Sequence, residues 1–172
     1  MPRINANINP MWLADEHLIA EHREISRLPN LAAKALNDSN FGSKTIPTKF
    51  TLGTGHIIFF YFKYHFTRDR YNLLYNECKR RNINVEYYES SWNDIWYKAL
   101  KDTGRWFTAS AHCNSSYIPS IEDDIIVLAR IIHNVAKSNK STYHMNHVKM
   151  TKEDYLKHLM NCIVEIQTKK ED

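Results

Sequence analysis

The chain has 172 residues, 43% of them hydrophobic and 24% charged, with 4 glycines and 5 prolines, which argues against disorder and fits a single packed, compact and largely helical domain. No apolar run reaches the roughly 18 residues that a bilayer span needs, and Met1-Pro2-Arg3-Ile4-Asn5 lacks a secretory apolar segment, so a cytoplasmic protein without a membrane partner is expected. The net charge of +4 is unevenly placed: residues 1–81 carry 12 Lys+Arg against 7 Asp+Glu, and residues 82–172 carry 11 against 12, an imbalance that favours a polyanionic partner for the first half.

Taken in chain order, the first helix is expected to begin near Met11 to Ala14, after Pro10, and to end at about Leu28. Pro29 supplies no backbone donor and turns its predecessor from helical geometry. A loop follows from Asn37 to Gly55, marked by Asn37-Asp38-Ser39-Asn40, Gly42, Pro47, Gly53 and Gly55. From His56 to Arg81, Phe59, Phe62, Phe66 and Leu73 recur at helical spacing and predict one long helix. Lys79-Arg80-Arg81 at its end either complements the helix dipole or meets phosphate. Residues 85–88 read as extended, and Trp92, Trp96 and Trp106 read as packing anchors, because no cations are interleaved with them. Pro119-Ser120 announces a helix with Glu122, Asp123 and Asp124 in its first turn and the stripe Ile121, Ile125, Leu128 and Ile132. Thr151 with Asp154 forms a capping-box variant for a last helix through Tyr155, Leu159, Ile163 and Ile166, and the tail from Lys169 is expected to fray. The fold class expected from these elements is all-α: a few packed helices with long loops.

Several residues bear on chemistry. Met1 before the small Pro2 is a context in which the initiator is removed, leaving a proline secondary amine. An α-amino group titrates near ~7.7 and so is substantially neutral at cellular pH, able to attack a sugar C1′ and form an iminium. On the first helix, with His17 at zero, Glu24 falls at about −20°, Ala20 at −60°, Arg27 at −80° and Arg23 at −120°. This clustering fits a surface ion pair between Glu24 and Arg27. It also fits an acid or base beside phosphate-gripping arginines. No metal or cofactor is expected. His144 and His147, His158 and Cys162, and His112 and Cys113 complete no zinc pattern, and Gly53-Thr54-Gly55 lacks the Lys-Ser/Thr ending of a phosphate loop. Cys78, Cys113 and Cys162 are widely spaced and read as thiols rather than disulfide partners.

Arg3-Ile4-Asn5, the run Leu13-Ala14-Asp15-Glu16-His17-Leu18-Ile19-Ala20-Glu21-His22-Arg23-Glu24, the run Leu52-Gly53-Thr54-Gly55-His56-Ile57-Ile58-Phe59-Phe60, and Glu77-Cys78-Lys79-Arg80 together resemble the pyrimidine-dimer DNA glycosylase family of T-even phage endonuclease V type. The resemblance covers about the first 90 residues. It implies a compact helical domain that acts on damaged double-stranded DNA as a monomer, in a bacterial or virus-infected cell, with an N-terminal amine that forms a Schiff base. Residue by residue, it implies a catalytic carboxylate at Glu24 and DNA contacts at Arg3, His17, Arg23 and Arg27. Pro2 stands where the best-known members carry threonine, which keeps an amine nucleophile. The aromatic segment near the family's C-terminus has its counterpart in residues 143–149, without most of the aromatics or the glycine, and a helical extension follows from about residue 150. Removal of a pyrimidine dimer, removal of another modified base by the same scaffold, and DNA binding without catalysis are the readings that the sequence leaves open.

Overall fold

The computed structural model describes residues 4–37, 46–61, 63–87 and 117–168. Pro2, Arg3, Phe62, Trp92, Trp96, Trp106, His112, Cys113 and the tail from Lys169 lie outside the described residues. After a single 3-10 turn at Pro10–Trp12, whose N-cap Asn9 side chain accepts from Met11 N–H, come helix α1 (Asp15–Ile25) and helix α2 (Leu28–Asn37). Pro29 therefore does not end the helical region. It sits in the first turn of α2, where the N–H it lacks would have had no intrahelical partner.

A second 3-10 turn, Gly53–Gly55, leads into the short helix α3 (His56–Phe60), and α4 follows at Tyr64–Arg80. The single helix expected over 56–81 is thus broken around Lys63, whose ψ of 51° is not helical. The break alters which face of α4 points inward. Leu73, expected on the apolar stripe, is 50% exposed. Thr67, Arg70, Tyr71, Leu74, Glu77 and Cys78 are buried instead. Two of those inward positions are charged, which is why apolar periodicity does not reveal them.

Helix α4 stops at a left-handed Asn82 (φ 54°), with Ile83 N–H donating to Cys78 O and Asn82 N–H to Lys79 O; asparagine tolerates this conformation and the bonds satisfy the last carbonyls. Arg81 belongs to the interior. Only 1% exposed, it donates to Glu77, Asp15 and the carbonyls of Pro10, Met11 and Leu13. Arg80 is held bidentately by Glu77. Within the run Lys79-Arg80-Arg81, Arg81 is thus an interior clamp and Arg80 a half-exposed partner of Glu77, while Lys79 is exposed.

Ser120 and Asp123 close a full capping box at the start of α5 (Ile121–Lys137), so the expected start holds. Its buried residues are Val127, Leu128, Ile131 and Val135, with Ile121, Ile125 and Ile132 packed at the edge. Before α6 (Lys152–Thr168), Thr151 Oγ1 accepts Asp154 N–H as expected, while the Asp154 carboxylate accepts the Thr151 hydroxyl rather than its backbone N–H, so one half of the capping box forms.

Between α5 and α6 the fold departs from the all-α expectation. Strands β1 (Thr142–Met145) and β2 (Val148–Thr151) pair antiparallel, with Tyr143 opposite Met150 and Met145 opposite Val148. Asn146 and His147 turn the chain at φ 52° and 66°, the two left-handed residues that a tight hairpin requires. Histidine bears such a φ at some cost, and the Asp15 carboxylate offsets it by accepting Asn146 N–H at 3.0 Å and His147 N–H at 2.8 Å. The described part of the protein is thus mostly helical with one small sheet, and the hairpin rests on the start of α1. The core joins Ile4, Ile8, Leu18 and Ile25 to Phe59, Phe60, Leu74, Leu128, Tyr143, Tyr155 and Leu159.

Candidate functional site

Helix α1 buries Leu18, Glu21, His22 and Ile25, which lie between about +40° and +140° on a wheel with His17 at zero. His17 and Glu24 fall on the border between that face and solvent and are half-buried, while Arg23 and Arg27 are exposed. Glu24 accepts from Arg27 Nη1 at 3.3 Å, a loose pair in which Arg27 is 60% exposed. A pair of this kind contributes about 0–1 kcal/mol. Of the residues singled out in the sequence, the structure brings His17, Glu24, Arg23 and Arg27 onto one side of α1. Pro2 and Arg3 lie outside the described residues.

Sequence reasoning missed the carboxylate one turn from His17. Glu21, 1% exposed, takes Asn5 N–H on Oε1 at 2.8 Å and the Asn5 side-chain amide on Oε2 at 2.7 Å. Arg70 from α4, 2% exposed, grips both oxygens of Glu21 at 2.9 and 2.8 Å and also donates to Ile8 O. Arg130 from α5 donates to Asn5 Oδ1. Removing one partner of such a buried pair costs about 3–5 kcal/mol, because the other charge is left uncompensated. The one sequence signal was positional: Glu21 stands among the apolar residues of α1, where an acid has to be paired.

His56 holds the preceding residue. Its Nε2 accepts Ile4 N–H at 3.2 Å and its Nδ1–H donates to Thr51 O at 2.9 Å, which together define the neutral ring and its tautomer. Burial pushes its pKa below the ordinary histidine value, in keeping with a ring that must stay neutral to accept. The N-terminal segment is therefore bound at two successive backbone N–H groups, by α3 and by α1.

Asn5, His17, Ala20, Glu21, Ile131 and Asn134 line a cavity of about 20 Å³, room for about one water molecule. His17 closes one side of it. Its ring lies 5.7 Å from that of Tyr143 and 5.6 Å from that of Tyr155. Glu16, the neighbouring residue, accepts from Lys140 Nζ at 2.6 Å and from His144 at both its N–H and Nδ1. Its partial burial would raise its pKa, but these bonds outweigh that and bring it down to about 2. The two acids at the start of α1 are thus occupied in holding the hairpin, leaving Glu24 as the acid beside Arg23 and Arg27. Among the described residues, no three His, Cys, Asp or Glu side chains gather as a metal site, and no helix is long and apolar enough to cross a membrane.

The α1 face, the bound N-terminal segment, the Gly53–Gly55 turn with His56, and α4 all fall within residues 1–88, the span matched by a protein-family model described as pyrimidine dimer DNA glycosylase, and the chain belongs to that family.

Proposed function

We propose that this protein is a DNA-repair glycosylase with abasic-site lyase activity, in which the Pro2 amine, freed by removal of Met1, attacks the sugar of a damaged nucleotide, most directly one in a pyrimidine dimer. The observation that carries the reading is the anchoring of Ile4 by His56 and Asn5 by Glu21. Residue 2 is joined to Ile4 by two peptide units, which keeps its Cα within about 7 Å of that of Ile4. Ile4 and Asn5 are thus fixed beside α1, and in this reading the amine reaches Glu24 from there.

In the reaction, the duplex is bent and a nucleotide leaves the stack, exposing C1′. The amine forms a bond to C1′ as the glycosidic bond breaks, and the base leaves with that electron pair and takes up a proton. The amine's own proton is lost as the sugar ring opens to the iminium. Removal of a C2′ proton then expels the 3′ phosphate by β-elimination, and water hydrolyses the iminium to release the enzyme. Glu24 serves first as the acid that protonates the opening sugar and then as the base at C2′. Arg3, Arg23 and Arg27 contact phosphates, and His17 donates to the backbone of the bound strand.

Protein lacking Met1 is expected to cleave UV-irradiated and abasic duplexes in EDTA, and borohydride is expected to trap a covalent protein–DNA adduct, since only an iminium is reduced to a stable linkage. Protein that retains Met1, or carries an N-terminal tag, is expected to do neither. Full cleavage by the tagged protein would remove Pro2 as the nucleophile, and absence of any adduct with a free Pro2 would leave a DNA-binding protein without this chemistry.

A further inference from the structure

Helix α6 lies beyond the span that the family model matches, and none of its residues takes part in the chemistry above. One of its side chains nevertheless reaches the α1 face. Tyr155 is fully buried, and its hydroxyl oxygen lies 3.0 Å from Ala14 N and 2.9 Å from His17 Nδ1.

The proton count at that oxygen decides the state of the histidine. A tyrosine hydroxyl carries one hydrogen and accepts others on its lone pairs. Ala14 N–H can only donate, so it takes an acceptor position on the oxygen. The hydroxyl hydrogen then needs an acceptor, and among the described residues His17 Nδ1 is the one bonded to it. The opposite arrangement, with the hydrogen on Nδ1, leaves a buried O–H without an acceptor, which folded proteins avoid. Burial also pushes the Tyr155 pKa well above the ordinary phenol value, so the hydroxyl remains a neutral donor. Packing fixes the ring as well. Tyr143 from β1 stands 4.9 Å from Tyr155, and both rings pack against the His17 imidazole.

We propose that Tyr155 is a positioning residue, whose hydroxyl holds neutral His17 in the Nε2–H tautomer so that the histidine offers a donor, rather than an acceptor, to phosphate or sugar oxygens of the bound strand. Helix α6 thereby supports a site whose proposed DNA-contacting residues all lie in the first half of the chain. The inference rests on the reading that His17 contacts DNA, and its test separates the two.

Long-range proton–nitrogen NMR spectra of the full chain, taken about one unit above the ordinary histidine pKa, distinguish the tautomers. The expected result is a His17 with unprotonated Nδ1 and protonated Nε2. In Tyr155→Phe, which keeps the ring and loses the hydroxyl, the tautomers are expected to mix and single-turnover cleavage of an abasic duplex to slow about tenfold or more. A proton on Nδ1 in the unmodified protein overturns the proposal without any variant. His17→Gln isolates the underlying reading. Normal cleavage by folded His17→Gln removes His17 from the DNA site. Impaired cleavage by His17→Gln, beside undiminished cleavage by Tyr155→Phe, overturns the positioning role alone.

Discussion

At the scale of single residues, the carboxylates of α1 divide by burial and partner rather than by chemistry. Asp15 holds the hairpin turn and Arg81, Glu16 holds Lys140 and His144, and Glu21 holds Asn5 and Arg70. Glu24 has the loose Arg27 pair at the border of solvent. That makes it the least constrained acid of α1, as its proposed role at the sugar requires. Glu24→Gln keeps the shape and removes proton transfer, so single-turnover cleavage is expected to fall about 100-fold or more. Duplex affinity should hold or rise, because a negative charge near phosphate is lost. Near-normal cleavage by the folded variant would return Glu24 to the role of a surface ion-pair partner, whose loss costs about 1 kcal/mol or less of stability.

At the scale of elements, α1 turns one edge to the interior and another to solvent. Arg23 on it and Arg27 in the turn just after it are exposed, whereas Arg70 and Arg81 on or just after α4 are buried in ion pairs. Two basic side chains of the first half are therefore internal, but they are paired with buried acids, so the excess of positive charge is carried by the remaining, more exposed residues. Arg23→Ala and Arg27→Ala should each weaken binding to damaged and intact duplex alike and lower the slope of log affinity against log salt by about one unit. Titrations at several salt concentrations measure this directly, and an unchanged slope would exclude both from phosphate contact.

At the scale of the whole molecule, two buried histidines link folding to pH. His22 stacks on Tyr71, and its Nε2 has no hydrogen-bond partner among the described residues. Burial pushes both His22 and His56 below their ordinary value of 6.5. The unfolded chain therefore takes up protons at a pH where the folded chain does not, and stability falls as pH drops through 6.5 toward the lower folded values. Glu16 and Glu77 are shifted down from an ordinary 4.5. Their contribution is present above 4.5 and is lost only below it, so the two windows are separate. The thermal midpoint should decline between about pH 7 and pH 5, and His22→Phe, which keeps a stacked ring without a titrating nitrogen, should flatten part of that decline. A midpoint independent of pH across this window would show that neither ring is held neutral by the fold.

The sequence by itself determined what depends on near neighbours along the chain. The Ser120–Asp123 and Thr151–Asp154 caps, the helices they begin, the common side of His17, Glu24, Arg23 and Arg27, and the family resemblance were all legible, because caps and helical faces are set within a few residues. Pro29 misled because its effect depends on whether it stands inside a helix or at the first turn of a new one. Phe59, Phe62, Phe66 and Leu73 predicted a single stripe because apolar periodicity is blind to an inward Arg70 or Glu77 until their partners are known. The hairpin was hidden for a related reason: its left-handed Asn146 and His147 are stabilised by Asp15, more than a hundred residues away in sequence. Only the tertiary structure decided that Glu21 and His56 bind the N-terminal segment and that Tyr155 meets His17 across 138 positions, since a buried polar group takes its role from whichever partner folding brings within hydrogen-bond reach.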